Sequence, residues 1–158
     1  MSSSNRVRKP LTLRRESHRQ LVIMSIRSQH FLGTARVQVR HLKLDPKKHV
    51  DEERVKQLAS DFNRGGCRNH DAVHAVPALV NPADLKAALT RANLSMSALF
   101  DEETRPLLQF PEEEKPRILY GDHRLRAAET LRASDRWWSV SLYDPGRCEH
   151  CTLLKYEY

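Results

Sequence analysis

A glycine followed by an acid, a histidine and two arginines is the part of this sequence best suited to chemistry. Gly121 permits a tight backbone turn and leaves room for a ligand to approach. Asp122 is predicted to cap the next helix, whose free amides would then point toward the same space as His123 and Arg124. With Arg126 included, the pattern predicts a phosphate-binding site. An ordinary strand-to-helix connection with solvated charges is the alternative interpretation.

Composition indicates one intracellular domain. The 158 residues are 39% apolar and 30% charged, which allows a modest core. No apolar run approaches the roughly 20 residues that a membrane span needs, and no secretory signal is visible. We therefore expect no membrane partner and a location in the nucleus or cytoplasm. Three cysteines, an odd number, argue for a reducing compartment and against a disulfide framework.

The positive charge is concentrated near the N-terminus. The formal net charge is +7, and residues 1–20 carry six basic residues against one acid, Glu16, which leaves +2 for the rest. We expect a flexible basic arm that contacts nucleic acid or directs nuclear import. A solvated, disordered tail is the alternative. The basic residues of the arm are Arg6, Arg8, Lys9, Arg14, Arg15 and Arg19.

The order of strand and helix patterns predicts an α/β domain with a mixed sheet. A first helix is expected after Asp51, which can cap it, and Gly65 and Gly66 would end it. A second helix should begin at Asn81 and Pro82, and a third should run from the glycine turn to about residue 131. Strands are expected at 21–26, 36–40, the second half of 73–80, near 118 and at 137–143.

The apolar faces of the two longer helices can be read from their spacing. In the first helix the face is Val55, Leu58, Ala59 and Phe62. In the second helix it is Leu85, Ala88, Leu89 and Ala92.

We expect three regions along the chain. Residues 1–20 form the basic arm, residues 21–147 form the globular domain, and residues 148–158 form a tail or the start of a further region. Residues 93–117 are acidic and contain prolines, so we expect them to be a surface insertion within the domain.

The segment Gly121–Ala128 resembles the Gly-Glu-Arg-Arg-x-Arg-Ala box of the chromosome-partitioning ParB family. It is also similar to the Gly-Cys-His-Arg phosphate loop of sulfiredoxins. Both families share one small α/β fold and hold nucleotide phosphates with this box. The resemblance covers roughly residues 37–144, including Leu44-Asp45-Pro46. It implies a small ParB/sulfiredoxin-like domain that binds a nucleotide triphosphate, with Mg²⁺ as a further expectation.

Two further motifs resemble a large fungal family of unknown function, which occurs in multicopy genes and on big mobile elements. The motifs are Gly66-Cys67-Arg68 and the stretch from Asp135 to Tyr143, which holds a pair of tryptophans. Members of that family tend to be longer, so we expect this chain to be the first part of a longer protein. One tryptophan of the pair should face the core, and the other is a candidate base-stacking or partner surface.

Departures from these families limit the chemistry. Asp122 stands where sulfiredoxins carry their cysteine nucleophile, so a cysteine-based sulfiredoxin reaction is not expected. The enzymatic alternatives are a nucleotide-dependent phosphotransferase, an NTPase or a nuclease, with Asp122 and His123 as the catalytic residues. Arg68 is expected to be a second phosphate clamp because its planar guanidinium matches phosphate geometry. The helix-turn-helix of ParB is missing, so reading of centromere-type DNA is not expected.

Cys148 and Cys151 form a C-x-x-C pair that needs two more ligands to hold zinc. Cys67 and His70 could supply them if the fold brought the pairs together. A structural role for the C-x-x-C pair is the favoured interpretation. A redox pair is a further alternative, although a redox C-x-x-C normally opens a helix, which this context does not show.

Three functions remain open from the sequence. The first is a nucleotide-binding domain that hydrolyses or transfers phosphate. The second is a DNA- or RNA-binding module without turnover, which would use the basic arm. The third is a catalytically inactive interaction scaffold. The sequence does not indicate an oligomeric state.

Overall fold

The computed structural model describes residues 29–146 of the chain. Five strands and three α-helices lie within that range. The strands are β1 (Phe31–Gln38), β2 (Val76–Leu79), β3 (Leu107–Leu108), β4 (Arg117–Ile118) and β5 (Trp137–Tyr143). The helices are α1 (Glu52–Gly65), α2 (Pro82–Arg91) and α3 (Asp122–Ala128). The basic arm, the predicted strand at 21–26 and the pair Cys148 and Cys151 lie outside the described residues.

The five strands form one mixed sheet in the order β3-β1-β5-β2-β4. β5 lies at its centre, antiparallel to β1 and parallel to β2. The outer strands differ, since β3 is parallel to β1 and β4 is antiparallel to β2. Val37 pairs with Trp138, and Ala35 pairs with Val140. All four side chains are buried, so the two longest strands present one apolar face to the core, and the predicted mixed α/β class is confirmed.

Helix α1 begins and ends where its local signals place it. The Asp51 carboxylate accepts hydrogen bonds from the backbone amides of Glu53 and Arg54, which satisfies two amides that have no partner inside the helix. Gly66 follows the last residue with φ of +84°, a conformation that favours glycine. Val55 is the buried residue of the helix, while Leu58 and Phe62 of the predicted apolar face are only half-buried.

Helix α2 also follows its predicted start. The Asn81 side chain accepts from the Ala83 amide, and Pro82 occupies the first turn. Its predicted apolar face is buried at three positions, Leu85, Ala88 and Leu89. The fourth position, Ala92, is exposed and lies one residue beyond the end of the helix.

The start of α3 differs from the prediction. The capping residue is Gly121, with φ of +103°, and Asp122 is the first residue of the helix and makes no capping bond. A Cβ atom at Gly121 would lie 2.9 Å from a methyl carbon of Val76 on β2. Glycine is therefore required here by close packing on the sheet as well as by its backbone angle. The helix also ends at Ala128, three residues earlier than predicted.

The segment 93–117, expected as a surface insertion, contributes to the core. It supplies edge strand β3 and the start of β4. Leu99, Leu108 and Phe110 are each no more than 2% exposed. The backbone of Gly33 in β1 packs directly against Leu99. The apolar residues of segment 93–117 are separated by acids and prolines, so they follow neither the helix period nor the strand period. The sequence pattern therefore does not predict their burial.

No helix within residues 29–146 is both long enough and apolar enough to cross a membrane.

Replacing Gly121 with alanine should destabilise the domain by about 2–4 kcal/mol, because it adds backbone strain and a contact with Val76. Gly65→Ala is the matched control, since an added Cβ there meets nothing within 4 Å and alanine favours a helix. Urea unfolding of both variants measures the difference. A Gly121→Ala variant as stable as the wild type would contradict this packing account.

His41 should make stability depend on pH. Burial lowers the pKa of His41 from its ordinary value of 6.5, and the charges of Arg40 and Lys115 lower it further. The unfolded chain therefore takes up this proton at a higher pH than the folded domain does. The contribution of neutral His41 to the free energy of unfolding is complete above about pH 6.5, and it is lost as the pH falls through the pKa of His41 in the folded domain. In thermal melts between pH 8 and pH 5, His41→Gln should lose less stability than the wild type, and identical slopes would refute the assignment.

Candidate functional site

A cleft of about 300 Å³ lies between α1, α3, strand β5 and the loop that leaves α1. Its polar lining consists of Arg54, Arg68, Arg124, Asp61 and His74. Its apolar lining consists of Leu58, Phe62 and Trp138, and Gly66 completes it. The volume is at the lower end of the range for small-molecule sites, which begins at about 300 Å³.

Three arginines reach this cleft from separate elements. Arg54 comes from the first turn of α1, Arg68 from the loop that follows α1, and Arg124 from α3. Within residues 29–146, none of the three forms an ion pair with a carboxylate. Asp61 is the carboxylate of the lining, so the formal charge of the lining, with His74 neutral, is +2. This arrangement favours an anionic ligand.

The apolar side of the cleft is built on Trp138. Its indole is 1% exposed, lies 5.6 Å from the Phe62 ring between centroids, and donates from Nε1 to the backbone oxygen of His74 at 2.8 Å. Trp137 points to the other face of the sheet, where the Arg36 guanidinium lies 5.3 Å from its ring centroid. The prediction that one tryptophan of the pair faces the core is confirmed.

Hydrogen bonds made by Asn69 hold the loop that carries Arg68. The next residue, Asn69, is 6% exposed. Its side-chain nitrogen donates to the backbone oxygen of Asp135 at 3.3 Å and to the backbone oxygen of Trp137 at 3.1 Å. Its backbone oxygen accepts from the Ser139 amide at 2.9 Å. These contacts fix the backbone beside Arg68 against β5.

The cleft contains two of the phosphate-binding residues predicted from sequence, Arg68 and Arg124. The other two, Gly121 and Arg126, do not line it. Positions two apart on an α-helix differ by about 200° in direction, so Arg124 and Arg126 cannot both face one cleft. The Nε atom of Arg126 is buried and has no hydrogen-bond partner among the described residues.

Asp122 and His123 also lie outside the lining and have structural contacts. Asp122 is 2% exposed, and its Oδ2 atom accepts from Lys48 Nζ at 2.7 Å. Its Oδ1 atom is buried without a partner among residues 29–146. His123 accepts at Nε2 from the backbone amide of Asp51 at 3.1 Å. Both contacts fasten the start of α3 to the residues around the start of α1, and the catalytic role expected for the pair stays a prediction.

The sequence profile described as protein of unknown function (DUF3723) N-terminal domain matches residues 30–158. The chain belongs to this family. No curated protein matches it.

The chain is also similar to a solved structure, the C-terminally truncated chromosome-partitioning protein ParB from Caulobacter crescentus complexed with CTP-gamma-S. The two chains are 13% identical, and the TM-score is 0.42. The similarity covers 78% of this chain and 49% of the ParB chain, so the DUF3723 N-terminal domain spans about half of that structure.

Sequence reasoning missed Arg54 of the DUF3723 N-terminal domain as a candidate site residue. The signal was the helical spacing of Arg54, Leu58, Asp61 and Phe62, which fall on one face of α1. That face was assigned to the core through its apolar residues alone. A mixed stripe of an arginine, an acid and half-buried apolar residues is also what a helix lining a cleft presents.

The zinc hypothesis gains no support from the described part of the chain. Within residues 29–146, no three His, Cys, Asp or Glu side chains are grouped so that they could hold a metal ion. Burial raises the pKa of the Cys67 thiol, which disfavours the thiolate that zinc binding requires. Two of the four proposed ligands, Cys148 and Cys151, lie outside the described residues.

Replacing Lys48 with methionine should cost about 1–3 kcal/mol of stability, because it leaves the buried Asp122 carboxylate without its cation. Lys56→Met is the matched control. Its partner Glu53 is 3.3 Å away, and the two side chains are 72% and 85% exposed, so a change within about 0.5 kcal/mol is expected. Chemical denaturation compares the two, and equal losses would refute a structural role for the Lys48–Asp122 pair.

Proposed function

We propose that the DUF3723 N-terminal domain binds a nucleotide in the cleft, with the phosphates held by Arg54, Arg68 and Arg124. The observation that carries this proposal is the convergence on one cleft with an aromatic side of three arginines that form no ion pair with a carboxylate of residues 29–146. A guanidinium presents several N–H donors in a plane and suits phosphate oxygens, and such charge-assisted bonds are among the stronger ones in proteins.

The charge of the lining supports a phosphorylated ligand. With a formal charge of +2, it is matched by a ligand that carries at least two negative charges. A nucleoside diphosphate or triphosphate meets this requirement. If Mg²⁺ accompanies the ligand, Asp61 is the lining carboxylate that would share it with the phosphate oxygens, which is how proteins commonly hold Mg²⁺.

The apolar side of the cleft suits a flat ring. Leu58 and Phe62 are half-buried, so part of each side chain remains available for contact. Trp138 supports Phe62 from behind, which limits the movement of the phenyl ring. Stacking of a base on an aromatic side chain contributes about 1–3 kcal/mol.

We propose binding without assigning turnover. Asp122 is paired with Lys48, and the Nε2 atom of His123 accepts a backbone hydrogen bond. A general base must lie within hydrogen-bond reach of the proton that it takes, and these two residues are absent from the cleft lining.

Nucleic-acid binding through the basic arm is the second candidate function. The excess of five positive charges within residues 1–20 supports it, because neutralisation of phosphates by basic residues gives strong, salt-dependent affinity. A steep loss of DNA affinity with added salt, removed by deletion of residues 1–20, would favour this function. A chain that binds neither nucleotide nor nucleic acid would fit the interaction scaffold.

Arg68→Ala and Arg124→Ala should each weaken nucleotide binding by about tenfold or more, since each removes a charge-assisted bond of about 1.5–3 kcal/mol. Arg132→Ala is the matched control because Arg132 is exposed and lies outside the cleft. Titration calorimetry with ATP, ADP, CTP and GTP, with and without Mg²⁺, would measure the affinities. Unchanged affinity in both cleft variants would reject the proposed site.

A further inference from the structure

Arg105 lies in the segment 93–117 and reaches the loop that carries Arg68. Its Nη1 atom donates to the backbone oxygen of His70 at 2.9 Å and to the Ser139 hydroxyl at 3.2 Å. Ser139 is completely buried and sits beside Trp138 in β5, on the opposite face of the sheet. One guanidinium nitrogen therefore connects the loop and the central strand from the side away from the cleft.

Arg105 is itself held in place by β1. The Arg36 Nε atom donates to the backbone oxygen of Arg105 at 2.7 Å, and the Arg36 amide donates to the oxygen of Pro106 at 2.8 Å. Pro106 is buried. The backbone at Arg105 and Pro106 is thus fastened to β1 just before β3 begins, so the Arg105 side chain reaches the loop from a fixed support.

The contact with His70 lies two residues from Arg68. Between them, Asn69 is tied to β5 by its side chain and its backbone oxygen. The Arg68 backbone oxygen accepts from the Asp71 amide at 3.1 Å. Arg105 therefore adds a side-chain anchor to the loop that carries the exposed cleft residue Arg68.

We propose that Arg105 is a positioning residue for Arg68, so that the segment 93–117 sets how well the cleft holds a polyphosphate. This inference rests on the proposed function of the cleft. A loop that is ordered before the ligand arrives loses less conformational entropy on binding. Without the bond from Arg105, the backbone at His70 gains freedom, and Arg68 must be ordered again each time an anion binds.

A double-mutant cycle tests this coupling. The full chain is titrated calorimetrically with inorganic tripolyphosphate, well below the melting temperature of every variant. The variants are Arg105→Met, Arg68→Ala, Arg124→Ala and the two double variants that combine Arg105→Met with each of the others. Arg124 is on α3, which makes it the matched reference for a cleft arginine that Arg105 does not contact.

Arg105→Met alone should weaken tripolyphosphate binding by about fivefold. In the Arg68→Ala background the same change should have almost no effect, whereas in the Arg124→Ala background the fivefold loss should persist. A general loss of structure, or the loss of one positive charge, would act in both backgrounds. An equal effect of Arg105→Met in the two backgrounds would therefore overturn the proposal.

Arg105→Lys provides a second measurement that does not depend on full loss of the side chain. Lysine keeps a cationic donor near His70 and Ser139, so it should restore at least half of the binding free energy that methionine loses. A lysine variant as weak as the methionine variant would overturn the hydrogen-bond account.

If Arg68→Ala and Arg124→Ala both bind as tightly as the wild type, the proposed function fails. If they bind weakly but Arg105→Met binds normally, only the role of Arg105 fails.

Discussion

The arrangement of the cleft depends on the burial of one indole ring. Trp138 is 1% exposed and pairs with Val37 in the central sheet. Its N–H group has left water, so it needs a partner, and the backbone oxygen of His74 provides one. Its ring also needs cover, and Phe62 of α1 supplies it. This one side chain therefore connects the sheet, α1 and the loop after α1.

Local signals predicted much of the fold because they act within a few residues. The caps at Asp51 and Asn81 and the stop at Gly66 each follow from side-chain reach or backbone freedom. The segment 93–117 could not be predicted in this way. Leu99 is buried because it meets Gly33, which is 66 positions away in the sequence, and no periodic pattern reports a contact of that kind. The acids and prolines of segment 93–117 are typical of an exposed loop.

The site was predicted in part for the same reason. A glycine turn with nearby arginines identified Arg124, and the planar guanidinium argument identified Arg68, but the sequence does not show which way neighbouring side chains on a seven-residue helix face. Asp122 is a residue type that suits capping, yet Gly121 occupies the capping position, where Val76 leaves no space for a Cβ atom. Once Asp122 lies inside the helix and is buried, its carboxylate needs a cation, and Lys48 meets that need.

The arginines that suit the cleft to an anion also work against the stability of the free domain. Arg54, Arg68 and Arg124 share one cleft whose lining, within residues 29–146, holds one carboxylate, Asp61, and like charges repel one another. A flexible loop would relieve that repulsion by moving Arg68 away. The hydrogen bonds at Asn69 hold the backbone of the loop in place, because leaving buried amide groups without partners would cost more than the screened repulsion of largely exposed charges. On the proposed function, an anion in the cleft would neutralise these charges and thereby stabilise the folded domain.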